Sequence, residues 1–119
     1  MTDDPIRGDI YEVNLEPVKG REIEGTGRPV LIVQNDLITK KVTTIIGVPF
    51  TKNIKRKEFP YTVFIKKESS NGLKCDSVLL CHQIRVLDKS RLNKKLGHIS
   101  EKQLIEVDEK LLFTLGIVW

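Results

Sequence analysis

Aromatic residues are scarce in this chain of 119 residues: four Phe, two Tyr and one Trp. Any ligand recognised by ring stacking must therefore rely on few platforms. Cysteine is scarcer still. Cys75 and Cys81 are the only two, and their spacing of six matches no zinc knuckle and no redox motif. With only His82 and His98 as further soft ligands, no metal site and no cofactor is expected. Two reduced, packing thiols fit a cytosolic protein. No apolar run is long enough to span a bilayer. The acidic start Met1-Thr2-Asp3-Asp4-Pro5 has no apolar core of the kind a secretion signal needs. A cytoplasmic protein with no membrane contact is expected. A P-loop and a G-x-S-x-G elbow are both missing, so nucleotide hydrolysis of the P-loop type and α/β-hydrolase chemistry are set aside.

What the chain does have is charge, at 30% of residues, with a formal net charge of +4. That mild excess favours a polyanionic partner, either nucleic acid or an acidic protein segment. The length fits one domain. Residues 1–6 read as a flexible tail and residues 7–119 as the single domain.

Alternation dominates the first two thirds. Tyr11, Val13 and Leu15 alternate with Glu12 and Asn14, the period of a half-buried strand over Ile10–Leu15. A polar loop with three glycines follows, from Val18 to Gly27. It leads into Pro29-Val30-Leu31-Ile32-Val33, a continuous β-branched and aliphatic run that predicts a strand buried on both faces. Further strands are expected at Thr43–Val48, ended by Pro49-Phe50-Thr51, and at Tyr61–Ile65, Ser77–Cys81, Ile84–Leu87 and Lys94–Ile99. Lys52–Lys57 reads as a basic loop and Ser69–Gly72 as a turn. A polar link follows Gln34-Asn35-Asp36. Ser100 with Gln103 three later forms a capping box, and Leu104, Val107, Leu111, Leu115 and Phe113 recur at helical spacing. The fold class is therefore mainly β: an SH3-like, partly closed antiparallel barrel with a C-terminal amphipathic helix over 101–115.

Arg28 stands at the mouth of the most apolar strand. A guanidinium on a rigid strand end suits phosphate binding; a solvated cation that keeps the protein soluble is the plainer alternative.

Five stretches bear on the choice. Arg7-Gly8-Asp9-Ile10-Tyr11, Pro17-Val18-Lys19-Gly20 and Gly27 through Asp36, together with Val48-Pro49-Phe50-Thr51 and Asp76-Ser77-Val78 through Gln83-Ile84-Arg85, resemble the MazF/PemK toxins of bacterial toxin–antitoxin systems. The resemblance runs from Arg7 to the final helix. It implies a homodimeric endoribonuclease that cuts single-stranded RNA at specific sequences without a metal, leaving a 2′,3′-cyclic phosphate and a 5′-hydroxyl, and an acidic antitoxin as partner. It also implies roles. Arg28 matches the family's catalytic arginine and Thr51 its catalytic threonine. Glu22 matches an acidic loop position linked to catalysis, with Glu24 as a neighbouring candidate. His82 stands where some members carry a carboxylate. An imidazole suits proton transfer near neutral pH, and a turn histidine with no role is the alternative. Gln83 matches a position in the RNA groove. Lys19, Arg21 and Lys52, with Lys55–Lys57, form an electrostatic floor or a solvated surface. Phe50 offers a stacking ring or a core residue. Asn35, Asp36 and Arg85 read as structural. A toxin of the same fold that poisons gyrase by protein contact, without cutting RNA, is the alternative function; the Arg28–Thr51 pair argues against it.

Overall fold

A computed structural model describes residues 4–15 and 27–118. Seven strands are present among them: β1 Asp9–Val13, β2 Arg28–Ile32, β3 Thr44–Thr51, β4 Thr62–Ile65, β5 Ser77–Leu80, β6 Arg85–Asp88 and β7 Leu92–His98. Two α-helices accompany them, α1 Asp36–Thr39 and α2 Glu101–Leu115. All pairings are antiparallel. The order across the sheet is β4-β5-β3-β2-β1-β7, with β6 paired to β3. Among the described residues β4, β6 and β7 each pair with one strand only, and the sheet is not closed.

β2 lies between β1 and β3, and its side chains alternate between two cores. Leu31 and Val33 enter the larger one, with Ile10, Val48, Phe50 and Leu79. Val30 and Ile32 enter the smaller one, with Val13, Leu15, Ile45 and Leu87. A strand that feeds a core on each face must be apolar at every position, which accounts for the unbroken run in the sequence.

β3 departs from the expected break at Pro49 and continues to Thr51. Thr44–Gly47 pair with β6, whereas Phe50 and Thr51 pair with β5. Pro49 falls between the two ladders, where a missing N–H costs no ladder bond on that flank. The strand can therefore change partners without ending. The polar link after Gln34 is also corrected: it is the short helix α1. The Asn35 side chain caps it, accepting the Leu37 N–H at 2.8 Å, and Asp36 accepts the Arg7 N–H at 2.8 Å. The basic loop is likewise a 3₁₀ helix, Ile54–Glu58, capped by Asn53.

The capping box of α2 forms as read: Gln103 N–H donates to Ser100 Oγ at 3.1 Å, and Ser100 N–H donates to Gln103 Oε1 at 2.9 Å. Val107 and Leu111 are buried on the larger core. The apolar stripe ends there, since Phe113 and Leu115 are exposed. Arg7 fastens this helix to the sheet. Its Nε donates to the Val33 carbonyl at 3.0 Å, and its guanidinium pairs with Asp108 of α2. The tail is held from Asp4 onward: Asp4 pairs with Lys89 at 3.5 Å and Pro5 is buried. Of the tail expected at residues 1–6, residues 1–3 lie outside the described residues.

Gly72 and Gly97 bring the turn at 68–72 against β7. A Cβ on Gly97 would lie 2.3 Å from the Ser70 carbonyl oxygen, and one on Gly72 would lie 2.1 Å from that of Leu96. His98 N–H donates to Ser70 at 3.0 Å across the same contact. Backbones this close leave no room for a side chain.

Candidate active-site cleft

Gly27, at φ +68°, turns the chain into β2 and makes Arg28 its first residue. Thr51 is the last residue of β3. Val30 pairs with Pro49 and Leu31 with Val48; the same register carried two residues further sets Arg28 level with Thr51. Both line one cleft. Its other walls come from Glu12 on β1, from Lys52, from Leu73 to Cys75 and Ser77 ahead of β5, and from Lys94 and Leu96 on β7.

The cleft is electropositive. Among the described residues, Arg28, Lys52, Lys74 and Lys94 line it with a single carboxylate, that of Glu12. Lys94 Nζ lies 3.9 Å from Glu12 Oε2, an exposed pair of small energetic consequence. The decisive feature is Arg28 itself. Its Nε is buried and has no hydrogen-bond partner among the described residues. A buried donor left open is costly unless a ligand completes it, and a guanidinium fork matches the oxygens of a phosphate. Thr51 Oγ1 accepts the Asn53 N–H at 3.2 Å. That bond occupies an oxygen lone pair and leaves the hydroxyl proton to be donated. The threonine is a turn-forming residue and a candidate donor at once.

The remaining expected site residues fall elsewhere. Lys19, Arg21, Glu22 and Glu24 lie outside the described residues. Phe50 sits at the cleft wall but is 1% exposed. The structure corrects its reading as a stacking ring, because a side chain enclosed in the larger core offers no free face. His82 and Gln83 belong to a 3₁₀ turn, Cys81–Gln83, at the opposite end of β5 from Ser77. They do not line the cleft, so the rim gathers Arg28 and Thr51 without them. His82 instead packs edge-on against Tyr61, ring centroids 4.4 Å apart. Burial, and then the charge of Arg56, hold its imidazole below the ordinary value, so it is neutral at pH 7. Cys81 is enclosed, and burial pushes its thiol up to about 11; it is a packing residue. Cys75 lines the cleft. Among the described residues no three His, Cys, Asp or Glu side chains gather as a metal site would require.

Glu12, Lys74 and Lys94 are the cleft residues that sequence reasoning passed over. The signal for Glu12 was present: as a polar position of the β1 alternation it forms part of the cleft wall, not a plain solvent face.

An antiparallel sheet that is not closed, with an arginine level with a threonine at one cleft and its Nε unpartnered among the described residues, places this chain with small β proteins that carry cations at their strand ends. The comparisons with known proteins narrow that class. Residues 6–115 match the model of the PemK-like, MazF-like toxins of type II toxin–antitoxin systems. The chain is 45% identical over 111 residues to the endoribonuclease MazF of Staphylococcus epidermidis, covering 93% of this chain and 91% of that protein. Among solved structures, MazF from Deinococcus radiodurans superposes with a TM-score of 0.82 at 26% identity, over 97% of this chain and 99% of that one. A mycobacterial endoribonuclease in complex with its cognate antitoxin gives 0.78 at 23% identity, over 97% and 98%, and shows the shared fold. The chain belongs to the PemK/MazF family of toxins.

Proposed function

We propose that this protein is the endoribonuclease toxin of a type II toxin–antitoxin pair, cutting single-stranded RNA at the Arg28–Thr51 cleft. The observation that carries the reading is the buried Nε of Arg28, without a hydrogen-bond partner among the described residues, in a cleft that those residues line with four cations and one carboxylate.

The chemistry is an in-line transesterification. The ribose 2′-oxygen attacks the adjacent phosphorus, the bond to the 5′-oxygen breaks, and a 2′,3′-cyclic phosphate and a 5′-hydroxyl result. No metal is needed if protein groups carry three tasks. Arg28 stabilises the extra negative charge of the phosphorane with a permanent charge and a planar fork. Thr51 donates its hydroxyl proton to a non-bridging oxygen. Glu12 takes the 2′-hydroxyl proton, being the only carboxylate among the described residues that line the cleft. The leaving 5′-oxygen, on the opposite side of the phosphorus from the 2′-oxygen, takes its proton from water, and the Glu12 carboxyl gives its own proton up to solvent. Glu22 on the loop that precedes Gly27 is the alternative base. Lys52, Lys74 and Lys94 hold the neighbouring phosphates, and Lys19, Arg21 and Gln83 extend the RNA track. His82, seated outside the cleft, has no part in the proton transfer.

The protein acts as a homodimer in the cytoplasm, as one domain spanning residues 7–119, and is neutralised by an acidic antitoxin segment that folds over the basic cleft. No described helix is long and apolar enough to cross a membrane. The test is incubation with a long RNA of mixed sequence in EDTA. Discrete cuts with cyclic-phosphate ends, absent with Arg28→Ala, are expected. RNA left whole by a folded, dimeric protein overturns the reading.

A further inference from the structure

The chain leaves the cleft at Lys52 and passes through the 3₁₀ helix Ile54–Glu58, which carries Lys55, Arg56 and Lys57. It emerges at Phe59, whose ring stacks on Tyr61 with centroids 5.4 Å apart and planes 10° from parallel. Tyr61 in turn meets His82 edge-on. Three flat rings thus form a pile in a chain that has few. Phe59, at its outer end, is 46% exposed, so the side turned away from Tyr61 is open. Lys57 Nζ lies 5.3 Å from the centre of the Phe64 ring. Arg56 Nε is buried without a hydrogen-bond partner among the described residues, the same condition as Arg28.

The pile is held rigidly. Thr62 Oγ1 lies 2.9 Å from the Arg56 carbonyl and 2.8 Å from the Phe59 carbonyl, close enough to share its proton between them. The Thr62 N–H donates to Phe59 at 3.2 Å, the Phe59 N–H to Arg56 at 3.2 Å, and the Cys81 N–H to Tyr61 at 3.1 Å. A ring that only sealed the core would be covered. This one is fixed by its backbone and left open at its outer face. An open aromatic face at the end of a basic tract is the arrangement that binds single-stranded nucleic acid, with phosphates on the cations and a base on the ring.

We propose that Phe59 and Tyr61 form a stacking subsite for one unpaired base flanking the scissile phosphate, and that Arg56 binds the phosphate next to that base. The proposal rests on the ribonuclease reading and adds to it a second contact point outside the cleft. Seven residues separate Lys52 from Phe59, so the two points lie no more than about 25 Å apart even along an extended chain. A short single strand bridges them. Stacking accepts any base, so the subsite adds affinity and a minimum substrate length more than it adds sequence preference. His82 backs Tyr61 in the pile, a positioning role that needs no proton transfer.

The test uses RNA oligonucleotides carrying the mapped cut site with a 2′-deoxy scissile nucleotide, which blocks cleavage, and one 2-aminopurine at successive flanking positions. Wild type should quench the probe at a position displaced from the cut. Phe59→Leu, which keeps apolar cover, should restore the fluorescence there and weaken binding about tenfold, and Phe59→Trp should rescue both. On RNA truncated before that position, Phe59→Leu should cleave at the wild-type rate. If no probe position responds to Phe59→Leu while Arg28-dependent cleavage is intact, the subsite is wrong and the ribonuclease reading stands. If folded wild type leaves RNA whole, both fall.

Discussion

Arg7 and Arg28 are both arginines beside buried strands of one sheet, and they are used in opposite ways. Arg7 has its donors taken up by the protein, Nε by the Val33 carbonyl and the fork by Asp108. Arg28 keeps a buried Nε without a partner among the described residues. The first clamps α2 to the sheet. The second holds a buried donor that no described residue takes up. A guanidinium satisfied by protein contributes to stability; one left open in a cleft marks the place where a ligand completes the structure.

The sharpest way to break this contrast is to remove each arginine and measure both properties. Arg28→Ala should lower kcat/KM for RNA cleavage by about a thousandfold or more and leave the urea midpoint unchanged or raised. Arg28→Lys should recover little, since a point charge lacks the fork. A large loss of stability in Arg28→Ala would place it with Arg7. Glu12→Gln and Thr51→Val should each cost about a hundredfold in kcat, with the fold intact by circular dichroism. Full activity in Glu12→Gln would move the base to the loop that carries Glu22. Arg7→Met should do the reverse of Arg28→Ala. It should destabilise the protein by about 1–2 kcal/mol, discounted for partial exposure of the pair, with cleavage per folded molecule unchanged. A double-mutant cycle with Asp108→Asn should show that the two losses are shared, not additive.

The smallest effect concerns His82. Its folded imidazole gives up the proton more readily than the unfolded chain does, because burial and Arg56 oppose the charge. The unfolded state therefore binds more protons as pH falls through the ordinary value of 6.5, and stability is lost in that direction. Above that value the contribution is fully present. Denaturant midpoints at pH 5.5 and 7.5 should differ slightly more for wild type than for His82→Gln. The pH dependence of kcat should be the same in both, and a lost limb in His82→Gln would return the histidine to the chemistry.

Local signals carried most of the fold. The alternation in β1, the apolar run of β2 and the capping box of α2 are each written within a few neighbouring residues, and each forms as read. Pro49 misled because its tolerance depends on β5 and β6, strands that follow it by about thirty residues or more. α1 is too short to show a helical period. Phe50 was legible as either ring or core, and only the packing of Val48, Leu79 and Ile65 around it decides. The cleft was half legible. Arg28 and Thr51 announce themselves at strand ends, whereas Glu12 and Lys94 reach the same cleft through pairing between β1 and β7, which no local pattern encodes. His82 is the reverse case: its chemistry is apt, and it lies at the far end of β5, outside the cleft lining.

β3 pairs with three strands in turn, β6 through Thr44–Gly47, β2 through Gly47–Pro49 and β5 through Phe50–Thr51. Its amide protons should therefore meet solvent only when several ladders part together. Val48 and Phe50 should exchange for deuterium at the rate of global unfolding, while amides on the β4 and β7 edges exchange through local fraying. Thr51 sits at the last position of that slow strand. The hydroxyl proposed to act on RNA is thus mounted on a strand held by three partners, and its position should last as long as those ladders do.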